Sequence, residues 1–312
     1  MSLLCVGSVA YDVIELPGRE AVEVLGGSAT WFCTAAGLWS RPWLVAAVGE
    51  DFRDDDLAFL ASRGVDVSGV DRKPGQTFRW HGRYHEDLIG RDSLRTEPGV
   101  FAEFSPVIPR EWRRPDVLFL GNIHPGLQAL VLAQCRDASF VALDTIRCWI
   151  DDARPELLRL LPRTDLLFLN DEEVRLLTGE FHLARGVRAL LDQGARAVAL
   201  KRGEHGSSLW TGDRVALFPA WPETVVVDPT GAGDCYAGAA LAFLEQAQDF
   251  SFASLRGALA LGTVVASFCV EHFGPRALGE VRPGRIRERM ERWIEAVSLD
   301  RDPVLRRLEL PG

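Results

Sequence analysis

The chain has 312 residues, 47% hydrophobic and 25% charged, with a formal net charge of −9. That length can bury the core of one large α/β domain, and the acidic balance argues against nonspecific nucleic-acid binding, which relies on a basic surface. Six cysteines (Cys5, Cys33, Cys135, Cys148, Cys235, Cys269) lack paired metal-ligand spacing, no run is read as membrane-spanning, and the apolar start lacks a basic stretch, so reduced thiols and a cytoplasmic setting without membrane or nucleic-acid partners are expected. In chain order, Leu3 to Val9 reads as a buried strand carrying Gly7-Ser8-Val9-Ala10-Tyr11-Asp12. Gly26-Gly27-Ser28-Ala29-Thr30 then opens a helix through Trp31, Ala35 and Leu38, and the two glycines permit close backbone approach. Leu44 to Val48 reads as a strand and Leu57 to Ser62 as a helix.

From Gln76 to Asp87 the period is two, which sets Phe78, Trp80 and Tyr84 on one face and Arg79, His81, Arg83 and His85 on the other. The aromatic face requires a cover, and the two histidines have no third metal ligand nearby. Strand and helix then alternate: Val117 to Leu120 with Leu127 to Gln134, Val141 to Leu143 with Pro155 to Leu160. Such alternation predicts a mostly parallel sheet, whose ligands bind beyond the carboxyl ends of the strands. Asp12, Asn122, Asp144, Asn170 and Asp234 all come just after an apolar strand and are candidates for one cleft, with His124, Arg147 and Trp149 behind them. Leu166 to Leu169 leads into Asn170-Asp171-Glu172-Glu173, and Ala197 to Leu200 leads into Lys201-Arg202-Gly203-Glu204-His205-Gly206.

The densest chemistry lies at Asp228-Pro229-Thr230-Gly231-Ala232-Gly233-Asp234. Thr224 to Val227, β-branched, reads as a buried strand before it, and Cys235 to Ala247 as a helix of small residues after it. Gly231 to Asp234 therefore sit at a helix N-terminus, where unpaired N–H groups and the helix dipole attract a phosphate or a developing oxyanion. A carboxylate there would repel a phosphate that was merely bound, so Asp234 is assigned proton abstraction from an attacking hydroxyl. Cys235 adjoins it at the helix N-terminus, a placement that lowers a thiol pKa. Ala258 to Val270 reads as a second small-residue helix, ended by Gly274 and Pro275. Arg282, Arg285, Arg287, Arg289 and Arg292, interleaved with Glu288, Glu291 and Glu295, read as a solvated, salt-bridged helix face.

The Gly26-Gly27 turn paired with the 228–234 turn resembles the ribokinase-like, or PfkB, family of carbohydrate and nucleoside kinases, and the resemblance covers nearly the whole chain. It implies a ribokinase-like three-layer α/β/α sandwich with a mostly parallel central sheet and a small β-sheet lid. The lid segments are about 13–25 and 74–98 within a kinase domain of residues 1–298, followed by a tail at 299–312, and such lids often pair two subunits into a homodimer. It further implies ATP and Mg2+, with Asp234 as base and Gly231, Ala232 and Gly233 as an anion hole. Asp12, Gly26, Gly27, Trp31 and Asn122 fall to the substrate, and Asn170, Lys201, Gly203 and Gly206 to the nucleotide. Glu173 is assigned to organising magnesium through water, and Asp228 with Thr230 to a monovalent cation such as K+. Ala10 and Trp31 stand where many sugar-specific members carry asparagine, and Pro229 replaces a threonine or serine. Three functions follow: a sugar or polyol kinase first, a nucleoside kinase with Trp31 stacked on the base second, and a catalytically silent metabolite binder third, against which the intact 231–234 turn argues.

Overall fold

The computed structural model describes residues 1–88 and 90–298; the 299–312 tail set apart above lies outside the described residues. Thirteen strands among the described residues form two sheets. In chain order they are β1 (Leu3–Val6), β2 (Ala10–Glu15), β3 (Val22–Gly26), β4 (Trp43–Gly49), β5 (Asp66–Lys73), β6 (Phe78–Tyr84), β7 (Arg91–Glu97), β8 (Val117–Leu120), β9 (Phe140–Asp144), β10 (Leu166–Asn170), β11 (Val198–Lys201), β12 (Ser207–Trp210) and β13 (Val215–Phe218). The helices are α1 (Ser28–Ala36), α2 (Asp54–Ser62), α3 (Pro125–Gln134), α4 (Arg147–Asp152), α5 (Arg154–Leu160), α6 (Asp171–Thr178), α7 (Leu183–Asp192), α8 (Ala232–Ala247), α9 (Phe252–Val270), α10 (Pro275–Gly279) and α11 (Pro283–Val297).

The large sheet has the order β13-β12-β11-β10-β9-β8-β1-β4-β5, and every neighbouring pair from β11 to β5 is parallel. Only β12 runs against the rest, antiparallel to both β11 and β13. A sheet buried on both faces demands strands apolar on both sides, and these are. Leu3, Cys5, Phe119, Ala142 and Phe168 face a core made with α1, α8 and α9, whereas Leu4, Val6, Leu118, Leu143 and Leu169 face a second core made with α3, α5, α6 and α7. The result is three layers. The chain moves from β1 to β4 and β5 on one side, then restarts at β8 on the other. The β1/β8 boundary is thus the switch point, where a crevice opens beyond the strand ends.

The second sheet, β3-β2-β6-β7, stands over that end. Its alternation is as the period of two requires. Tyr84 packs with Ile14, Leu16, Trp80 and Phe273 on one side, while Arg79 and Arg83 on the other pair with Asp51, Glu23 and Glu15. The aromatic face is covered from within the chain.

Two expectations are corrected. Residues 224–227 form no strand, and Val225 and Val226 are exposed. The segment has left the sheet at β13 and crosses to the end of α9, where the N–H groups of Val227 and Asp228 both donate to the Val270 carbonyl, at 2.7 and 3.2 Å. β-propensity without a neighbouring strand makes no ladder. Further, α9 does reach the length and apolarity of a membrane span, but most of it is buried, packed as a core helix against α8.

Candidate active site

Asp12 on β2 and the turn before α1 are built around each other. The Gly27 N–H lies 3.4 Å from Asp12 Oδ2, and a Cβ on Gly26 would fall 2.0 Å from that oxygen. Gly27 itself takes φ 89°, a conformation open to glycine, with its α-carbon against the Ser8 carbonyl. Burial pushes the Asp12 carboxyl up to about 7, against the pull of the Gly27 N–H and the Arg91 charge. The Ser8 and Ser28 hydroxyls sit 3.2 Å apart and close the floor. β8 delivers Asn122 beside this turn, since Gly121 packs against Gly7 and Ser28. The Asn122 Oδ1 accepts from Trp149 Nε1 at 2.9 Å, and the His124 ring stands edge-on to the Trp149 ring at 5.2 Å. Asn122, His124 and Trp149 are all half-buried.

The 228–234 turn lies next to them. Gly231 is left-handed with φ 75°, and a Cβ there would sit 2.1 Å from the Trp31 ring. Trp31 is 2% exposed. It is therefore a pad under the turn and has no free face for a substrate base, which corrects its assignment as a stacking residue. The Ala232 N–H is taken by the Pro229 carbonyl at 3.3 Å, leaving the Gly233 and Asp234 N–H groups of the first helical turn for a ligand. Asp234 is half-buried, and its carboxyl is pushed up to about 8, first by desolvation, then by the Asp144 charge, against Lys201 and Arg91. Asp228 is fully buried; burial raises its pKa, its Oδ1 accepts the Thr230 N–H at 2.9 Å, and its Oδ2 lacks any donor in hydrogen-bond geometry.

At the end of β11, Lys201 Nζ makes a buried ion pair with Asp144 at 3.0 Å and lies where a Gly233 side chain would be. Burial works against the lysine charge, yet Asp144, Glu173 and Asp234 together hold its pKa above the ordinary value. Asn170 caps α6 by accepting the Glu173 N–H at 2.8 Å, while Glu173 Oε2 accepts the Asn170 N–H at 2.7 Å. Burial pushes Glu173 up to about 7, and Lys201 opposes it. Gly203 and Gly206 form the tight turn between β11 and β12. Cys235 is buried against the Trp31 carbonyl, and burial raises its thiol pKa, the reverse of the shift expected from its helix position. Four of these thiols meet in two buried pairs, Cys5 with Cys33 and Cys235 with Cys269.

One group escaped the sequence reading. Arg91, at the start of β7, stacks its guanidinium 5.2 Å from the Trp80 ring and donates to Tyr84 Oη at 3.2 Å. Tyr84 Oη lies in turn 2.9 Å from Thr230 Oγ1, so the lid is tied to the 228–234 turn. Arg91 is exposed, and its charge opposes the raised pKa of Asp12, Glu173, Asp228 and Asp234 alike.

A lidded three-layer sheet with a helix-N-terminal anion turn, a buried carboxyl and a lysine at the strand ends defines a small-molecule phosphotransferase. The model of the pfkB family of carbohydrate kinases matches residues 1–280, and the chain belongs to that family. It is 32% identical over 249 residues to the cytidine kinase of Thermococcus kodakarensis, covering 78% of this chain and 88% of that one. It is 28% identical over 258 residues to the fructoselysine 6-kinase of Escherichia coli, covering 78% and 87%. The crystal structure of a Burkholderia thailandensis nucleoside kinase in complex with inosine superposes with a TM-score of 0.80 at 21% identity, covering 94% and 99%. The chain is accordingly an ATP-dependent carbohydrate- or nucleoside-kinase phosphotransferase acting on a small hydroxyl substrate.

Proposed function

We propose that the acceptor is a nucleoside, and that Asp234 takes the proton of its attacking hydroxyl while the Gly233 and Asp234 N–H groups steady the charge on the transferred phosphoryl. The observation that carries the nucleoside reading is the planar wall at the acceptor end. The Trp149 indole donates to Asn122, which follows Gly121, packed on Ser28 of the turn that borders Asp12, and the His124 ring stands edge-on to it. An aromatic face with an amide beside it suits a base, and the Asp12 carboxyl beside Gly26 and Gly27 suits a pair of ribose hydroxyls. The likeness to a cytidine kinase supports the same reading. A free sugar or polyol is the second reading, because the Asp12 pocket needs only a diol and a fructoselysine kinase is also similar.

Lys201 and the turn of Gly203 and Gly206 hold the ATP phosphates, with Asn170 beside them. Glu173, a buried hard-oxygen donor, organises Mg2+ through water. The unpartnered Asp228 Oδ2 fits a monovalent cation, K+, which would fix the turn electrostatically. Free buried thiols and dependence on ATP fit a cytoplasmic enzyme. The test is ADP release from MgATP across nucleosides, sugars, sugar acids and polyols, with wild type and Trp149→Ala. Nucleoside turnover with KM raised about tenfold or more in the variant is the expected outcome, the loss of an aromatic contact of about 1.4 kcal/mol. Turnover confined to free sugars and unaffected by Trp149→Ala sinks the nucleoside reading.

A further inference from the structure

We propose that the pole opposite the candidate active site binds a small organic diphosphate, held by arginines gathered at the amino ends of β8 and β9. The parallel strands fix the placement. Arg113 and Arg114 precede β8 and Arg136 precedes β9, whereas Asn122 follows β8 and Asp144 ends β9. The two sets therefore lie at opposite ends of the sheet. A cavity of about 590 Å³ at the amino end is lined by Arg110, Arg113, Arg114, Gln134, Arg136 and Asp137. Four cations meet one carboxylate there, on a chain whose formal balance is −9. Asp137 answers one of them, pairing with Arg114 at 3.2 Å. Arg110, Arg113 and Arg136 have no carboxylate within 4 Å among the described residues.

An arginine that is merely solvated swings freely, and two of these do not. Arg113 Nε donates to the Ile108 carbonyl at 3.0 Å and Arg136 Nε to the Ala133 carbonyl at 3.2 Å. Each guanidinium is thus pinned by one donor and keeps four N–H groups for a ligand. The walls are held as well. Trp112 is buried and stacks on Trp43 at 5.4 Å, fixing the turn Arg110–Trp112. Gln134 accepts the Ile108 N–H and donates to the Pro106 carbonyl, both at 2.9 Å, which staples that loop to α3. The last turn of α3 presents carbonyls here, and their partial negative charge alone would repel an anion. Arg136 answers it, and Arg110 and Arg113 remain in excess. Paired phosphate oxygens match a guanidinium fork, so two pinned forks match two linked phosphates. A second cavity, of about 530 Å³, shares Arg136 and runs over Ala129, Leu132, Ala133 and Leu160 to Arg163. That apolar shelf suits the organic body of the ligand.

The site is independent of the phosphotransfer reading. Its test is titration calorimetry of pyrophosphate and of n-butyl diphosphate into the full chain, with the 228–234 turn first occupied by a non-hydrolysable MgATP analogue. The proteins are wild type, Arg113→Gln, the double variant Arg113→Gln with Arg136→Gln, and a control carrying Arg185→Gln and Arg188→Gln. The control removes the same charge from exposed positions on α7. Wild type should take up one equivalent of either ligand, n-butyl diphosphate the more tightly. Arg113→Gln should weaken both about tenfold or more and the double variant about a hundredfold or more, while the control stays within a few-fold of wild type. Equal affinity for the two ligands would make free pyrophosphate the occupant of the same site. No uptake by wild type overturns the proposal. So does equal weakening in the control and the double variant, which would reduce the binding to net charge.

Discussion

Asp234 combines a half-buried carboxyl, the adjacent Asp144 charge and two opposing cations, and its pKa of about 8 follows from the first of these. A base must be unprotonated to accept a proton. With the free-enzyme carboxyl titrating near 8, kcat/KM should rise about tenfold per pH unit below that value and level off above it. A pH–rate profile flat between 6 and 8 would remove Asp234 from the role. The same shift acts on stability. Asp12 and Glu173 at about 7 and Asp234 at about 8 bind protons more tightly folded than unfolded. Their contribution is complete below the unfolded value near 4 and is lost as pH rises through the folded values. Asp234→Asn should therefore raise the Tm of the ligand-free protein at pH 8.5 and leave it unchanged near pH 4; an equal effect at both would contradict the linkage. Most of these residues were legible in sequence because their motifs are local: glycines at a turn, a carboxyl after a strand. Arg91 was not, since an arginine among exposed polar residues of a lid strand looks like any solvated one until the sheet folds over the cleft. Trp31 was misplaced because sequence shows an aromatic residue near the site but not that Gly231 lies on its ring.

Helix packing sets the height of the anion turn. α8 approaches α1 so closely that a Cβ on Gly238 would fall 2.3 Å from the Phe32 carbonyl oxygen. Backbone cannot yield there as a flexible side chain can. Gly238→Ala is expected to destabilise by about 1–3 kcal/mol, read from urea unfolding, with lowered activity through the displaced turn. A second element-scale tie joins β2, α2 and α10. The buried Asp56 accepts from Tyr11 Oη at 2.9 Å, Arg53 Nε at 2.8 Å and Arg276 at 2.6 Å. Burial raises its pKa, but the three donors outweigh burial and hold it below the ordinary value. Its contribution is present above about pH 4 and lost as pH falls through the folded value. Asp56→Asn should lower the urea midpoint at pH 7, and the gap to wild type should narrow toward pH 3; a gap that widens in acid would contradict the sign. The helices were readable from their spacing of small and apolar residues. The stretch Val225–Val227 was not, because its β-branched composition is local and its lack of a strand partner is not.

At the scale of the molecule, strand and helix alternation made the parallel sheet legible, and strand-end polar residues marked the candidate cleft. The order of the strands and the covering of the lid's aromatic face by Phe273 depend on contacts distant in sequence, which no local pattern encodes. β7 leaves one edge of the lid sheet unpaired among the described residues, and residues 91–96 along it are exposed. Such an edge invites a second strand. Pairing of two lids would give a dimer by light scattering, abolished by a proline within β7; a monomer at all concentrations tested would remove that arrangement.

On the proposed reading the chemistry turns on one carboxyl, that of Asp234. The most direct test is ADP formation from MgATP by wild type and Asp234→Asn with a saturating acceptor, alongside ATP binding by both. Turnover reduced about 10²- to 10⁴-fold with ATP binding preserved is the predicted result. Turnover near wild type in the variant would contradict the account, whatever the acceptor.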